Sequence, residues 1–514
     1  MKPTLNERSC GAEDCGCDTA LGFSEEEVAQ AAQIKRFSEC LQADAALRTR
    51  LSGGKGLSPE QEAWIRKIGI ELKLTDVAFL WEHPLEVSAY LMFALKGREG
   101  ELSEDVMAIV GKYPLLELWG KYTQSRCCLD EFLEKWGQVA SEHEKFNAWR
   151  KRRVASAKSE LGFFGMRIGH PVFAFELNAG CSVGCWFCSF ATDKLSGTLD
   201  YPAQRDEVMS IVRQCGDIFG KEMAMMSLPY YRTEPHDNPH YIDFLKDFEQ
   251  ETGAVMCTST AVCHDIEWVK NLLEYYQKRE DGQIYYWPRL SILTLDMLRK
   301  VYDAFTPMET KDIELLIQVK DHQRPKVTGG RILQEQAGLR DVEDLSQDDR
   351  LSAAAAVPQG TIACVSGFDI NLVTRTIMIF GPCYTSEKWP YGFRVYGQAN
   401  YTSEKDFEAV IKDLVERTMF LSPPADHILK FRDDIVFRPT EAGFDLATAH
   451  QLHHFKGRSK CGPLGEMIAA GESTYAQILK TLHKEHKVNT FILRAAVQQL
   501  FDDGFIDEIY VSVG

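Results

Sequence analysis

The chain has 514 residues, 45% of them hydrophobic and 26% charged, which excludes a disordered or fibrous protein and allows a large globular enzyme of several domains. Its formal net charge of −17 argues against a nucleic-acid backbone as the main partner. No apolar run is long enough to span a bilayer, and the polar start is no signal peptide, so the chain is expected in the cytoplasm with no membrane partner. Residues 1–22 read as a flexible tail in which Cys10, Cys15 and Cys17 match no metal-ligand spacing. Residues 23–162 read as a helical domain. Ser24 opens one helix in capping-box style, Ser58-Pro59 opens another, and amphipathic stretches follow near 102–110 and 128–136. No catalytic constellation occurs there, and Cys127-Cys128 reads as a buried helix face.

Beyond residue 163 strands alternate with helices, the pattern of parallel βα units. Strands are predicted at 172–177, 223–229, 254–259, 289–293 and 313–319, and helices at 207–219, near 241–251 and at 266–277. The expected fold class is therefore α/β, with residues 163–400 forming a full or partial (β/α) barrel whose chemistry lies at the C-terminal strand ends. Directly after the first strand come Cys181, Cys185 and Cys188 in a Cys-x3-Cys-x2-Cys loop. Thiolates are the usual ligands of iron–sulfur clusters, and three of them leave one iron of a [4Fe–4S] cube open to a small molecule. Fifteen cysteines with no dense regular framework fit reduced thiols and metal ligands. A zinc loop with a distant fourth ligand is the competing reading, although no second Cys-x2-Cys pair follows.

This spacing, with aromatic Phe187 before the last cysteine, resembles that of the radical S-adenosylmethionine (SAM) enzymes. The resemblance implies one [4Fe–4S] cluster on the three cysteines and SAM on the fourth iron. It further implies reductive cleavage of SAM to a 5′-deoxyadenosyl radical, with electrons from a donor such as flavodoxin or ferredoxin. The run Tyr231-Arg-Thr-Glu-Pro235 resembles the family's Gly-Gly-Glu-Pro segment, so Glu234 is expected to accept the SAM ammonium. Arg232 and Thr233 stand where that segment has glycines, a departure that changes how closely the backbone can approach SAM. Ser259 and Thr260 after the third strand and Ser291 in the fourth occupy places where the family has SAM-facing polar residues, although strand-end Ser and Thr also serve as helix caps.

Residues 321–358 carry no readable pattern beyond an acidic, solvated run at 341–350. Residues 361–380 read as a β hairpin leading to Gly381-Pro-Cys383, and with only Cys364, Cys383 and Cys461 beyond residue 300 a single cluster is expected. A helical linker at 401–425 precedes residues 426–514, which combine a strand–turn–strand unit with Asp433-Asp434 at the turn and helices at 474–486 and 490–501. That segment resembles the winged-helix modules that bind leader segments of ribosomal precursor peptides by adding a strand to a sheet edge. A DNA-binding winged helix would need a basic face, whereas its lysines are offset by Glu485, Asp502, Asp503, Asp507 and Glu508.

Taken over residues 170–400, the chain resembles the radical SAM peptide epimerases of the proteusin type. That resemblance implies conversion of L- to D-residues in a ribosomal precursor peptide, an isomerase reaction in which one face of Cα loses a hydrogen and a thiol returns one to the other. Cys383, at a strand's end after Gly381-Pro382, is the expected hydrogen donor, with Cys364 as its rival. Two other readings stay open: a thioether or carbon–carbon cross-linking enzyme of the same superfamily, and a metal-stapled peptide-binding adaptor without catalysis.

Overall fold

A computed structural model describes residues 22–94, 102–125, 138–162, 165, 168–277, 288–320, 329–334, 361–456 and 462–509. The expectations for Cys10, Cys15, Cys17, Cys127, Cys128 and Cys461, for the helix at 128–136 and for the acidic run at 341–350 lie outside the described residues. The protein is mixed α/β, built of helices and small sheets that do not close on themselves among the described residues. It divides into two compact units. One draws on Met1–Phe132, Glu234–Glu249 and Gly253–Pro325, the other on Leu133–Thr233, Gln250–Thr252 and Lys326–Gly514. Among the described residues no helix is long and apolar enough to cross a membrane.

In the first unit, local capping sets the helix starts. The Ser24 hydroxyl accepts the Glu27 N–H while the Glu27 carboxylate accepts the Ser24 N–H at 2.7 Å, opening the helix Glu25–Ala43. The same reciprocal pair, Ser58 with Gln61, opens Pro59–Lys67, and Ser103 caps Glu104–Lys112. Phe37 and Val110 of these helices, with Phe79 of Phe79–Glu82 and Leu116 of Pro114–Ser125, share one core with Leu290, Ile292, Leu315 and Ile317 of a parallel sheet. That sheet orders Ser259–Thr260, Arg289–Ile292 and Glu314–Ile317. Of the strand predicted at 254–259 only its end is paired; Thr258 hands the chain into the ladder by accepting the Arg289 N–H at 2.8 Å. Buried Arg36 ties the helices to the rest of this unit through Ile68, Phe305 and Thr310 at 2.8–2.9 Å, its guanidinium over the Tyr302 ring.

The second unit is organised by a five-stranded sheet in the order Phe393–Asn400, Thr376–Pro382, Gly367–Asn371, Phe173–Glu176, Ser227–Leu228. Every residue of Phe173–Glu176 is buried, and the strand is parallel to both neighbours. Cover on both faces favours apolar residues, which is why the chain reads Val-Phe-Ala-Phe up to residue 175, and it leaves the buried Glu176 at the strand's end in need of hydrogen-bond donors. Phe146, Phe173, Phe219 and Phe368 pack there with ring centroids 5.0–5.6 Å apart. The predicted hairpin is present as Gly367–Asn371 against Thr376–Pro382. The strand predicted at 223–229 is shorter: Lys221–Met225 is helical and only Ser227–Leu228 joins the sheet.

The C-terminal part of this unit is an antiparallel meander, Val436–Thr440, Gly443–Ala447 and Leu452–Phe455, followed by the helices Gly462–Ala470, Tyr475–His486 and Thr490–Asp502. Its core gathers Leu429, Phe444, Leu446, Ile468, Leu482, Leu493 and Phe501. Asp433 and Asp434 stand at the predicted turn, but Asp434 is committed to structure: it pairs with Arg432 at 2.8 Å and Arg394 at 3.3 Å.

Candidate functional site

The cysteine loop begins where the buried strand Phe173–Glu176 ends. Asn178–Ala179 pairs antiparallel with Gly197–Thr198 and closes the loop at its neck. Above the neck the Cys181 N–H donates to Asp193 O at 2.9 Å and the Leu195 N–H to Cys181 O at 3.2 Å. Gly180 is required here: its φ is +85°, and an added Cβ would lie 2.3 Å from Lys194 O. At the tip, the Cys188 N–H donates to Cys185 O and the Ala191 N–H to Cys188 O, both at 3.2 Å. Cys181, Cys185 and Cys188 are half-buried, as is Phe187, whose ring meets Trp186 edge-on at 5.6 Å.

The segment Gly329-Gly330-Arg331 holds this loop from outside. Arg331 donates from Nη1 to Cys185 O at 2.9 Å and from Nη2 to Thr192 O at 2.7 Å, and its N–H reaches Cys188 O at 3.0 Å. Gly330 makes the approach possible, because a Cβ there would fall 2.2 Å from Ser189 O. Losing the two side-chain bonds removes about 1 kcal/mol each. Arg331→Ala is therefore expected to loosen the loop in metal-free protein while leaving the fold intact. Timed iodoacetamide labelling read by mass spectrometry checks this, with Cys185 and Cys188 expected to react several-fold faster. Unchanged labelling rates would show that the loop keeps its order without Arg331.

At the C-terminal end of the same strand, Glu176 is fully buried. Its carboxylate accepts the Tyr231 N–H at 3.1 Å, the Arg232 N–H at 2.5 Å and the Thr233 hydroxyl, so it clamps the segment that the sequence aligned with the SAM-ammonium motif. Arg232 turns its guanidinium to Asp369, with Nε and Nη2 at 2.8 and 2.6 Å from Oδ2. Burial raises the pKa values of Glu176 and Asp369; Asp369 pushes Glu176 further up, and Arg232 opposes the rise at both. A cavity of about 310 Å³ opens at the loop's neck, bordered by Ala179, Gly180, Ser196, Arg232, Asp369 and Met378.

Within the first unit, Glu234 is buried and accepts the Ala261 N–H at 2.9 Å, the His236 N–H at 3.2 Å and the Thr260 hydroxyl. Burial lifts its pKa to about 7 against these hydrogen bonds. Ser259 is half-buried beside Thr260, and buried Ser291 offers its carbonyl to the Cys263 thiol at 3.6 Å. Back in the second unit, Cys383 is 0% exposed, its thiol pushed up by burial beside Arg394 and Glu160. Cys364 is half-buried, and its N–H donates to the Tyr231 hydroxyl at 3.1 Å. The Tyr231 ring lies 4.8 Å from that of Phe190, two residues beyond Cys188.

Sequence reasoning missed Glu176, Asp369 and Arg331. An acid ending an apolar strand run, an acid inside Gly-Phe-Asp-Ile-Asn, and an Arg after paired glycines were the available signals. Among the described residues no three His, Cys, Asp or Glu side chains are gathered as a metal would need. What fits an iron–sulfur cluster is the donor chemistry, three thiols on one loop whose backbone is held by its own hydrogen bonds and by Arg331.

The chain is 28% identical over 477 residues to uncharacterized protein y4wI of Sinorhizobium fredii, which covers 92% of this chain and 87% of that protein. No protein-family model matches the chain. No solved structure matches it.

Proposed function

We propose that this protein is a radical SAM enzyme that epimerises residues of a ribosomally made precursor peptide. The observation that carries the reading is the Cys-x3-Cys-x2-Cys loop, set at the end of a buried parallel strand and pinned by Arg331. Cys181, Cys185 and Cys188 would hold one [4Fe–4S] cluster, with Phe187, Arg232, Thr233, Glu234, Ser259 and Ser291 toward SAM. Bound there, cluster and SAM supply the 5′-deoxyadenosyl radical that removes the Cα hydrogen. On this reading the βα units form a partial radical SAM barrel, and the C-terminal part is a winged-helix-like leader-recognition module. The enzyme works in the cytoplasm with a flavodoxin or ferredoxin as electron donor. The edge strands Val436–Thr440 and Leu452–Phe455, with Val436 and Leu452 about half exposed, support leader binding by strand addition.

A thiol returns a hydrogen atom to the planar Cα radical and becomes a thiyl radical, which one electron from the electron donor and one proton from solvent restore to the thiol. Cys383 and Cys364 are the two choices, and burial separates them: a fully buried thiol must be uncovered to reach a peptide, whereas Cys364 is half-buried, its N–H on Tyr231, whose ring packs against Phe190 within the cysteine loop. The geometry supports Cys364. The test is anaerobic co-expression with a precursor peptide in D₂O, followed by mass spectrometry and chiral analysis. Wild type is expected to yield D-residues carrying one deuterium, and Cys364→Ala to abolish them while SAM cleavage continues. Full epimerisation by Cys364→Ala with loss in Cys383→Ala would return the role to Cys383. A peptide lighter by a pair of hydrogens would instead identify a cross-linking enzyme.

A further inference from the structure

On the epimerase reading, the donor thiol ends each turnover as a thiyl radical, and the hydrogen that restores it must come from a group beside Cys364. Tyr231 is such a group. It is 8% exposed, its ring packed against those of Phe190 at 4.8 Å and Phe380 at 5.1 Å. The Glu176 carboxylate holds its backbone N–H at 3.1 Å. Its hydroxyl oxygen accepts the Cys364 N–H at 3.1 Å, and the Cys364 side chain packs against the apolar cluster that contains Tyr231. Sγ turns about a single bond, which keeps it within about 7 Å of that oxygen in every rotamer. A buried tyrosine hydroxyl ordinarily donates as well as accepts. That of Tyr231 donates to nothing among the described residues. Burial, and the Cys364 thiol when charged, push its pKa up, so the hydrogen stays on the oxygen.

We propose that Tyr231 passes its hydroxyl hydrogen to the Cys364 thiyl radical. The S–H bond forms as the O–H bond breaks, so the sulfur is reduced and the phenol is oxidised to a neutral phenoxyl radical. One electron from the electron donor and one proton from solvent then restore the phenol. S–H and phenolic O–H bonds are of similar strength, so the exchange is not steeply uphill in either direction, and the later reduction draws it toward the thiol. The aromatic packing and the Glu176 clamp fix the hydroxyl beside Cys364 while the thiol turns between substrate and phenol. The inference rests on the epimerase reading with Cys364 as hydrogen donor, but the transfer itself is testable without cluster, SAM or peptide.

In the full-length, metal-free protein, thiols are S-nitrosated, photolysed in frozen solution to thiyl radicals, and annealed while electron paramagnetic resonance is recorded. Wild type is expected to give a phenoxyl signal that ring-deuterated tyrosine narrows, and both Tyr231→Phe and Cys364→Ala to lose it. Tyr231→Phe keeps the packed ring, and circular dichroism checks that the variant is folded. In the enzyme carrying cluster and SAM, Tyr231→Phe is expected to make one D-residue per chain and stop, while wild type continues. No phenoxyl signal in wild type, an undiminished signal in Tyr231→Phe, or repeated turnover by that variant would each overturn the proposal. Loss of its first turnover as well would also overturn it, by assigning Tyr231 a purely structural role. A phenoxyl signal that depends on Tyr231 and Cys364, in a wild type that makes no D-residues, would uphold the transfer and sink the epimerase reading.

Discussion

Replacing Cys181, Cys185 and Cys188 together by alanine is expected to take iron after anaerobic reconstitution from about four atoms per chain to background, and SAM cleavage to the uncatalysed level. The expectation follows from ligand chemistry. Soft thiolates would hold the irons, and among the described residues no three His, Cys, Asp or Glu side chains are gathered that could substitute for them. The substitutions leave the fold in place for a separate reason. The three side chains are half-buried, and the loop is organised by backbone hydrogen bonds and by Arg331, whose acceptors are carbonyls. Circular dichroism should therefore be unchanged while the iron–sulfur absorbance disappears. Full iron content in the triple variant would sink the cluster assignment, and with it the proposed chemistry.

The second large effect is on stability. Glu508, fully buried, receives Arg152 through two bonds at 2.8 and 2.6 Å and is also contacted by Arg153, whose Nη1 reaches the Tyr396 hydroxyl at 2.6 Å. Nearby, buried Glu160 takes Arg394 at 2.5 and 3.1 Å, and Arg432 is held by Asp434. Removing one partner of such a cluster strands buried charge, which costs about 3–5 kcal/mol. Glu508→Ala is expected to lose that much in denaturant unfolding, because it leaves two guanidinium groups without their carboxylate. Replacing Arg152, Arg153 and Glu508 together by apolar residues of similar volume should cost far less, since the desolvation penalty goes with the charges. A loss below about 1 kcal/mol for Glu508→Ala would show that water reaches the cluster. The same contacts bear on how the C-terminal part is tested: deleting it would strand Arg152 and Arg153, so leader binding is better probed by substitutions on its edge strands in the full chain.

Legibility in the sequence followed interaction range. The helix starts at Ser24 and Ser58 were readable because a cap is decided within four residues. The strand before the cysteine loop was readable because full burial leaves a continuous apolar run. The strand at 223–229 was over-read, because a run rich in Met and Ala suits a helix equally well, and Lys221–Met225 takes that form. Glu234 illustrates a different limit: its place in the motif was visible, but its hydrogen bonds to the Thr260 hydroxyl and the Ala261 N–H were not.

By itself the sequence determined the thiol spacing, the strand that delivers it, the local caps and the mixed α/β character. Each of these depends on neighbours along the chain. Only the tertiary structure decided what surrounds the thiols. Arg331 grips Cys185 from 146 residues away, Arg232 meets Asp369 across 137, and Arg152 meets Glu508 across 356. The same packing buried Cys383 and left Cys364 half-buried, a difference set by distant segments. Periodicity and capping act over a few residues, whereas a buried charge finds its partner only after the sheet has brought distant segments together, because desolvation makes any other arrangement too costly.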